Sequence, residues 1–464
     1  MITTTNPATG ETLECYETLT DDAIEARLAG ANETYADWRS SPLGERSALL
    51  GRLGEVFEAN RDRLAKQATL EMGKTLSSAL AEVDKCVSLL RYMAGAGPGM
   101  LESLQFDLGK DGSAEGRWLP QGPVLAVMPW NYPYWQVARF LAPTLMAGNV
   151  GLLKHASLVQ GSAALIEEMV NEAAGAKGLF QNLAITSEEV APIIADDRVV
   201  AVTLTGSEKA GQAVAELAGR NLKKVVLELG GSDPFIVMPS ADIDRAVEQA
   251  VQARIQNTGQ SCICGKRMIV HASIHDEFGE RFFAGMQQVV AGDPMDEATD
   301  MGPLSSQEQL ETVLDQVETA KKEGATLKFG GEVADGPGAY ITAGVLTGVP
   351  LGSETAKAEI FGPIAQLYRA EDIDDAIRIA NAIPYGLGSS VWTQDKQEQE
   401  RFIQDIEAGM TAINQFLASH PRAPFGGIKK SGHGRELSHL GLHEFMNLKT
   451  VFRPAEPVAD NTFQ

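Results

Sequence analysis

The sequence predicts an α/β protein built on parallel sheets. Short apolar runs of four to seven residues alternate along the chain with longer amphipathic stretches. Parallel strands are buried on both faces and need a crossover, commonly a helix, between them, so this alternation reads as βαβ units. The 464 residues are 44% apolar and 22% charged, a globular composition with the length of about two to four structural units.

Taken in order, Asp21–Trp38 has helical spacing, and Pro42-Leu43-Gly44 breaks it. Ser47–Asn60 and Leu64–Leu70 resume the pattern, and Leu76–Met93 is a further amphipathic helix. The Gly/Pro-rich Ala94–Gly99 is expected to end it. Strand Pro123–Met128 precedes helix Tyr134–Ala147, and strand Val150–Lys154 precedes helix Gly161–Ala174. Val199–Thr205 leads into helix Glu208–Gly219, and Lys224–Leu229 comes before helix Asp242–Asn257. In the second half, strands are expected at Arg267–His271, Ile364–Tyr368, Leu387–Thr393 and Thr411–Asn414. Helices are expected at Ile274–Val289, Ser306–Glu323 and Ile373–Ala382. The polar Pro454–Gln464 is expected to be loose.

Charge narrows the function. Thirty-nine Lys+Arg against 62 Asp+Glu leave a net charge of −23, which opposes phosphate polymers and anionic membranes. A local positive pocket for a small anion remains open. Four unevenly spaced cysteines, Cys15, Cys86, Cys262 and Cys264, do not read as a disulfide framework. Met1–Pro7 lacks the pattern of a signal peptide, and no apolar run reaches the roughly 20 residues of a membrane span. A cytoplasmic protein without nucleic-acid or membrane partners is the expectation.

Four segments carry the chemistry. Asn257–Cys264 places Cys262 in a glycine-containing turn, where backbone N–H groups can favour a thiolate. A small buried hydrophobe is the alternative for any single cysteine. Glu228 lies between strand residues and Gly230-Gly231, where desolvation would raise its pKa and suit a general base. A solvated strand end is its bland reading. Asn131, in Pro129–Pro133, follows a strand and can donate to an oxyanion, or belong to an aromatic core turn. Thr205–Gly211 runs from strand into helix, so its N-terminus can face a pyrophosphate, although it is not G-x-G-x-x-G.

In this order, with Lys154, Glu359–Pro363, Tyr385–Leu387 and Pro424–Gly427, these segments resemble the aldehyde dehydrogenase superfamily over nearly the whole chain. Cys262 follows Glu228 by 34 residues, a spacing the superfamily shares. The resemblance implies a Rossmann-type dinucleotide-binding domain (1–103 and 122–230), an α/β catalytic domain (231–435) and a small β arm for oligomers (104–121 and 436–464). A homodimer or homotetramer follows, the arm's strands coming from Leu104–Gln121 and Lys449–Phe452. It further implies that Cys262 is the nucleophile, Asn131 the oxyanion donor and Glu228 the base for thioester hydrolysis. Glu359 would hold the nicotinamide ribose and Phe361 would pack near its ring. Trp130 and Lys154 would line the adenosine side, and Gly206 and Ser207 would face the pyrophosphate, with Thr205, Gly211 and Leu229 beside them.

NAD-preferring relatives often carry Glu where this chain has Ser157, whose neutrality removes repulsion of a 2′-phosphate. NADP is therefore expected to be accepted and preferred, with NAD the alternative and no metal required. Lys154–Ser157, Gln256–Cys262 and Ala418–Gly432 are similar to succinate-semialdehyde dehydrogenases. Arg139 would then grip the substrate carboxylate through its fork of N–H donors, or form a structural ion pair. Ser419 would add a hydroxyl. Gln256 stands where some relatives carry a second Arg, and His420 where close relatives often have Asp. Other semialdehydes and neutral aldehydes stay open as substrates, as do a CoA-acylating enzyme and a non-catalytic relative. Cys264 is a candidate redox partner of Cys262, with a passive small residue and zinc binding by Cys262, Cys264 and His271 as the other readings.

Overall fold

The computed structural model describes residues 1–334 and 336–455. The loose terminal tract expected from Pro454 onward falls outside the described residues beyond Ala455, as does the end of the expected arm.

One six-stranded sheet has the order 432–433, 224–228, 201–205, 123–128, 150–155, 180–182. All its pairs are parallel except the first. Chain order reverses at Pro123–Met128, which has Val150–His155 on one side and Ala201–Thr205 on the other. Such a reversal splays the loops at the strands' carboxyl ends and leaves a crevice there for a ligand. Pro123–Met128 is buried almost throughout, and helices Asp21–Trp38, Trp135–Ala147 and Glu208–Arg220 pack on the sheet.

A seven-stranded sheet follows, ordered 326–329, 344–347, 364–370, 267–271, 234–237, 390–392, 412–413, and parallel but for its first pair. Successive residues on a strand point to opposite faces. Accordingly Ile236 and Ile269 join one apolar cluster, while Phe235, Val237, Met268 and Val270 join another. Both faces are covered, as a parallel sheet requires.

The third sheet is antiparallel: Met446–Arg453, Ser113–Pro120 and Leu104–Asp107, with Thr450 opposite Gly116 and Gly116 opposite Leu104. It exposes Leu104, Phe106, Leu448 and Phe452, the last 73% accessible.

Two expectations need correction. Helix Leu76–Met100 runs through the Gly/Pro stretch meant to end it. Pro98 withholds an N–H from the Ala94 carbonyl, and Ser47 Oγ supplies a donor at 2.7 Å instead. Gly97 gives room to Met146, which a β-carbon there would meet at 2.6 Å. The helix expected over 242–257 stops at Ile255, because Asn257, Thr258 and Gly259 are left-handed, with φ of 53°, 57° and 73°.

Candidate active site

The carboxyl ends of the first sheet meet the amino ends of the second. Pro129–Asn131, Thr205–Ser207 and Glu228–Gly230 leave the first; Cys262 and Glu359–Phe361 precede strands of the second. Between them lies a cavity of about 270 Å³ lined by Trp130, Asn131, Glu228, Cys262, Glu359 and Phe361. A second cavity, about 470 Å³, is lined by Lys85, Trp135, Arg139, Gln256, Cys262 and Ser419 among others. Cys262 and Gln136 line both, so the thiol stands where the two spaces meet.

The loop that carries Cys262 is built under strain. A β-branched residue at positive φ is costly, and Thr258 adopts it with Asn257 beside it. Hydrogen bonds hold it there: Thr258 Oγ1 donates to the Gly302 carbonyl at 3.1 Å, and Asn257 Nδ2 to Asn131 O at 2.8 Å. Gly259 continues the left-handed path, and a β-carbon on it would collide with the Gly362 carbonyl. Lys266, fully buried, donates from Nζ to the carbonyls of Ser261 at 2.7 Å and Cys262 at 2.9 Å, and pairs with Glu359 Oε1 at 3.0 Å.

Burial pushes the Cys262 thiol up to about 12, against the pull of Arg139 and Lys266. This corrects the expectation that the turn itself favours a thiolate: in the free protein desolvation outweighs the nearby dipoles and cations. Glu228 is 2% exposed, and neither carboxylate oxygen has a hydrogen-bond partner. Desolvation first, and then the Glu436 carboxylate, hold its pKa well above the ordinary carboxylate range. Asn131 donates one Nδ2 hydrogen to the Gln260 carbonyl at 3.0 Å, which leaves the second free. Among the described residues no acceptor meets the Cys262 N–H.

At the nucleotide end, Ser207 caps helix Glu208–Arg220 by accepting from the Ala210 N–H at 3.3 Å. Thr205 Oγ1 is buried without a partner, and Gly211 lets Leu229 approach to where a β-carbon would meet it at 2.6 Å. An orphaned hydroxyl, a helix N-terminus and a glycine turn at a sheet's switch point fit a dinucleotide. Trp130, assigned by resemblance to the adenosine side, packs edge-on against Phe361 at 5.7 Å and lines the cavity holding Cys262. Lys154, next to last in its strand, is half-buried, with its pKa lowered by burial, and Ser157 is exposed at the start of a short 3₁₀ turn.

In the larger cavity Arg139 is 2% exposed, with Nε 2.7 Å from Glu436 Oε2, close but off the hydrogen-bond line. Its Nη2 donates to Gln136 Oε1, and its guanidinium lies 4.4 Å from the Phe425 ring centroid. The ion pair expected as one reading of Arg139 is present, and Nη1 has no hydrogen-bond partner among the described residues. The Gln256 Nε2 is buried and unpartnered. Cys264 is a free, fully buried thiol facing the Gln256 carbonyl at 3.7 Å. Among the described residues no group of three His, Cys, Asp or Glu is placed to hold a metal, so the zinc alternative is not formed. No described helix is long and apolar enough to cross a membrane.

Sequence reasoning missed Lys85, Glu436, Lys266 and Gln136. Lys85 and Gln136 lie on helices, Lys266 just before a strand and Glu436 in a bridged loop, and only the fold brings these polar residues to the site.

A free thiol and an unpartnered carboxylate stand beside a crevice that fits a dinucleotide, an arrangement that suits an oxidoreductase. The profile of the aldehyde dehydrogenase family matches residues 1–451, and the chain belongs to that family. It is 49% identical to a succinate-semialdehyde dehydrogenase [NADP(+)] of Mycobacterium avium, over 97% of this chain and 96% of that protein. It is 48% identical to succinate-semialdehyde dehydrogenase [NADP(+)] 1 of Mycobacterium tuberculosis H37Rv, over 97% and 99%. The crystal structure of succinic semialdehyde dehydrogenase from Streptococcus pyogenes with NADP+ superposes with a TM-score of 0.96, at 39% identity over 98% of this chain and all of that one.

Proposed function

We propose that the protein oxidises succinate semialdehyde to succinate with NADP as the preferred cofactor. The position of Cys262, shared by both cavities, carries this reading: substrate enters from one side and cofactor from the other. Glu228, held basic by burial, takes the thiol proton. The thiolate then forms a C–S bond to the aldehyde carbon, and the resulting oxyanion receives the free Asn131 Nδ2–H and the Cys262 N–H. When bound, the nicotinamide supplies the hydride acceptor. The carbonyl re-forms as a Cys262 thioester. Glu228 passes the thiol proton to bulk water and then removes a proton from the attacking water. The hydroxide adds to the acyl carbon, the C–S bond breaks, and the departing thiolate recovers the proton from Glu228 as the acid leaves.

Lys154, Gly206, Ser207 and Glu359 hold the cofactor, with Thr205, Gly211, Leu229, Trp130 and Phe361 shaping its cleft. Ser157 leaves room for a 2′-phosphate. Arg139, Ser419 and Gln256 form the polar end that receives the substrate carboxylate. The domains are taken as 1–103 with 122–230, 231–435, and 104–121 with 436–464, although Gly432–His433 pairs onto the first sheet. The exposed apolar face of the antiparallel arm suits addition to a second copy, giving a cytoplasmic homodimer or homotetramer.

The test is kcat/KM for aldehydes of varied length and terminal charge, with NADP and NAD, in the presence and absence of CoA. Succinate semialdehyde with NADP, independent of CoA, should rank first. A neutral aldehyde ranking first, or a CoA requirement, would overturn the reading.

A further inference from the structure

The larger cavity holds a cation for which the catalytic cycle has no use. Lys85, on helix Leu76–Met100, donates from Nζ to Ser419 Oγ at 2.8 Å and lies 4.5 Å from the Trp135 ring centroid. Trp135 Nε1 donates to the same Ser419 oxygen at 3.1 Å. A hydroxyl oxygen that accepts two hydrogen bonds has its own O–H left to give. The Ser419 hydroxyl is thereby fixed as a donor, beside an ammonium that retains two N–H donors.

Charge at this end is unbalanced. Among the described residues no carboxylate lies within ion-pair distance of Lys85. The nearest acid on its own helix, Glu82, is committed: Oε2 to Lys74 and Oε1 to the N–H groups of Tyr134 and Trp135 at 2.8 Å each. Arg139 adds a second positive charge, already paired with Glu436. Of the carboxylates at this end, Glu436 pairs with Arg139, Glu82 with Lys74, and Asp300 accepts from the Val290 N–H, so Lys85 is left for an anion that a ligand brings.

We propose that Lys85, acting with the Ser419 hydroxyl, is the cation that selects acid-terminated aldehydes. It supplies from the helix before the oxyanion loop the second positive charge that Gln256 does not. The proposal rests on the semialdehyde reading above and deepens it. Burial and the Arg139 charge lower Lys85 to about 8, while Cys86 and Glu82 oppose the shift; Asp300, Tyr132 and Cys262 are the other titratable groups in the wall. As pH rises through that range the ammonium loses its proton and selectivity falls.

Wild-type and Lys85→Met enzymes, saturated with NADP, are compared for kcat/KM on succinate semialdehyde and on butyraldehyde, its neutral counterpart of equal chain length. The ratio of the two should fall by about tenfold or more in Lys85→Met, chiefly through KM, as loss of a charge-assisted contact predicts. Lys85→Arg should keep part of it, and the wild-type decline of the ratio above about pH 8 should vanish in Lys85→Met. Equal losses on both aldehydes, or a preserved ratio, would overturn the role of Lys85 while the semialdehyde reading stands. A wild-type enzyme with no preference for the acid-terminated aldehyde would overturn that reading, and the proposal with it.

Discussion

Arg139 Nε stands 2.7 Å from Glu436 Oε2, and both residues are nine-tenths buried or more. This pair joins the larger cavity to the proposed base: Arg139 lines the cavity, while Glu436 raises the Glu228 pKa by its charge and Arg139 opposes it. Replacing Glu436 by Gln removes the repulsion and frees the Arg139 charge. The Glu228 pKa should fall towards the ordinary range. As the proposed base, Glu228 must act deprotonated, so the acid limb of the kcat profile should move to lower pH, and the rate at its plateau should drop several-fold as the base weakens. A pH–rate profile checks this; an unmoved acid limb contradicts it.

Asn131 has one amide hydrogen on the Gln260 carbonyl and one to give. Asn131→Ala should lower kcat by about 10²–10³-fold with little change in KM, the pattern of a contact strengthened in the transition state. Steady-state kinetics decide. A rise in KM at constant kcat would make Asn131 a substrate-binding residue instead.

Ser157 is exposed where the adenosine ribose is expected, with half-buried Lys154 three residues before it. Ser157→Glu would repel a 2′-phosphate and accept from a ribose hydroxyl. The NADP-to-NAD ratio of kcat/KM should fall by more than about tenfold. An unchanged ratio would place cofactor choice elsewhere.

Cys264 donates its backbone N–H to Ser261 O at 3.2 Å, which bends the chain between the two thiols. Peroxide should therefore inactivate the enzyme reversibly, with dithiothreitol restoring activity, and Cys264→Ala should make the loss irreversible. Identical recovery in wild type and variant would remove Cys264 from any redox role.

Much of this was legible in the sequence because strand ends and glycine turns carry local signatures. Asn131, Thr205–Ser207 and Glu228 directly follow apolar runs that form strands, and Cys262 lies in a glycine turn. Other parts have no local mark. Lys85 and Ser419 are 334 positions apart, and nothing near either announces the other. Glu436 reaches Glu228 only because Gly432–His433 pairs back onto the strand that ends in Glu228. Pro234–Val237, a central strand of the second sheet, escaped notice as four residues opening on proline. The thiol's raised pKa was also hidden, because burial is a property of the fold and not of the turn.

The central claim is that Cys262 carries the acyl group and Glu228 releases it. Glu228→Gln, mixed with succinate semialdehyde and NADP, should lower steady-state turnover by about 10²–10⁴-fold. It should trap the intermediate where hydrolysis stalls. Mass spectrometry of the quenched protein is predicted to find one succinyl group per chain, on the peptide containing Cys262. Turnover without an adduct, or an adduct on any other residue, would contradict the account.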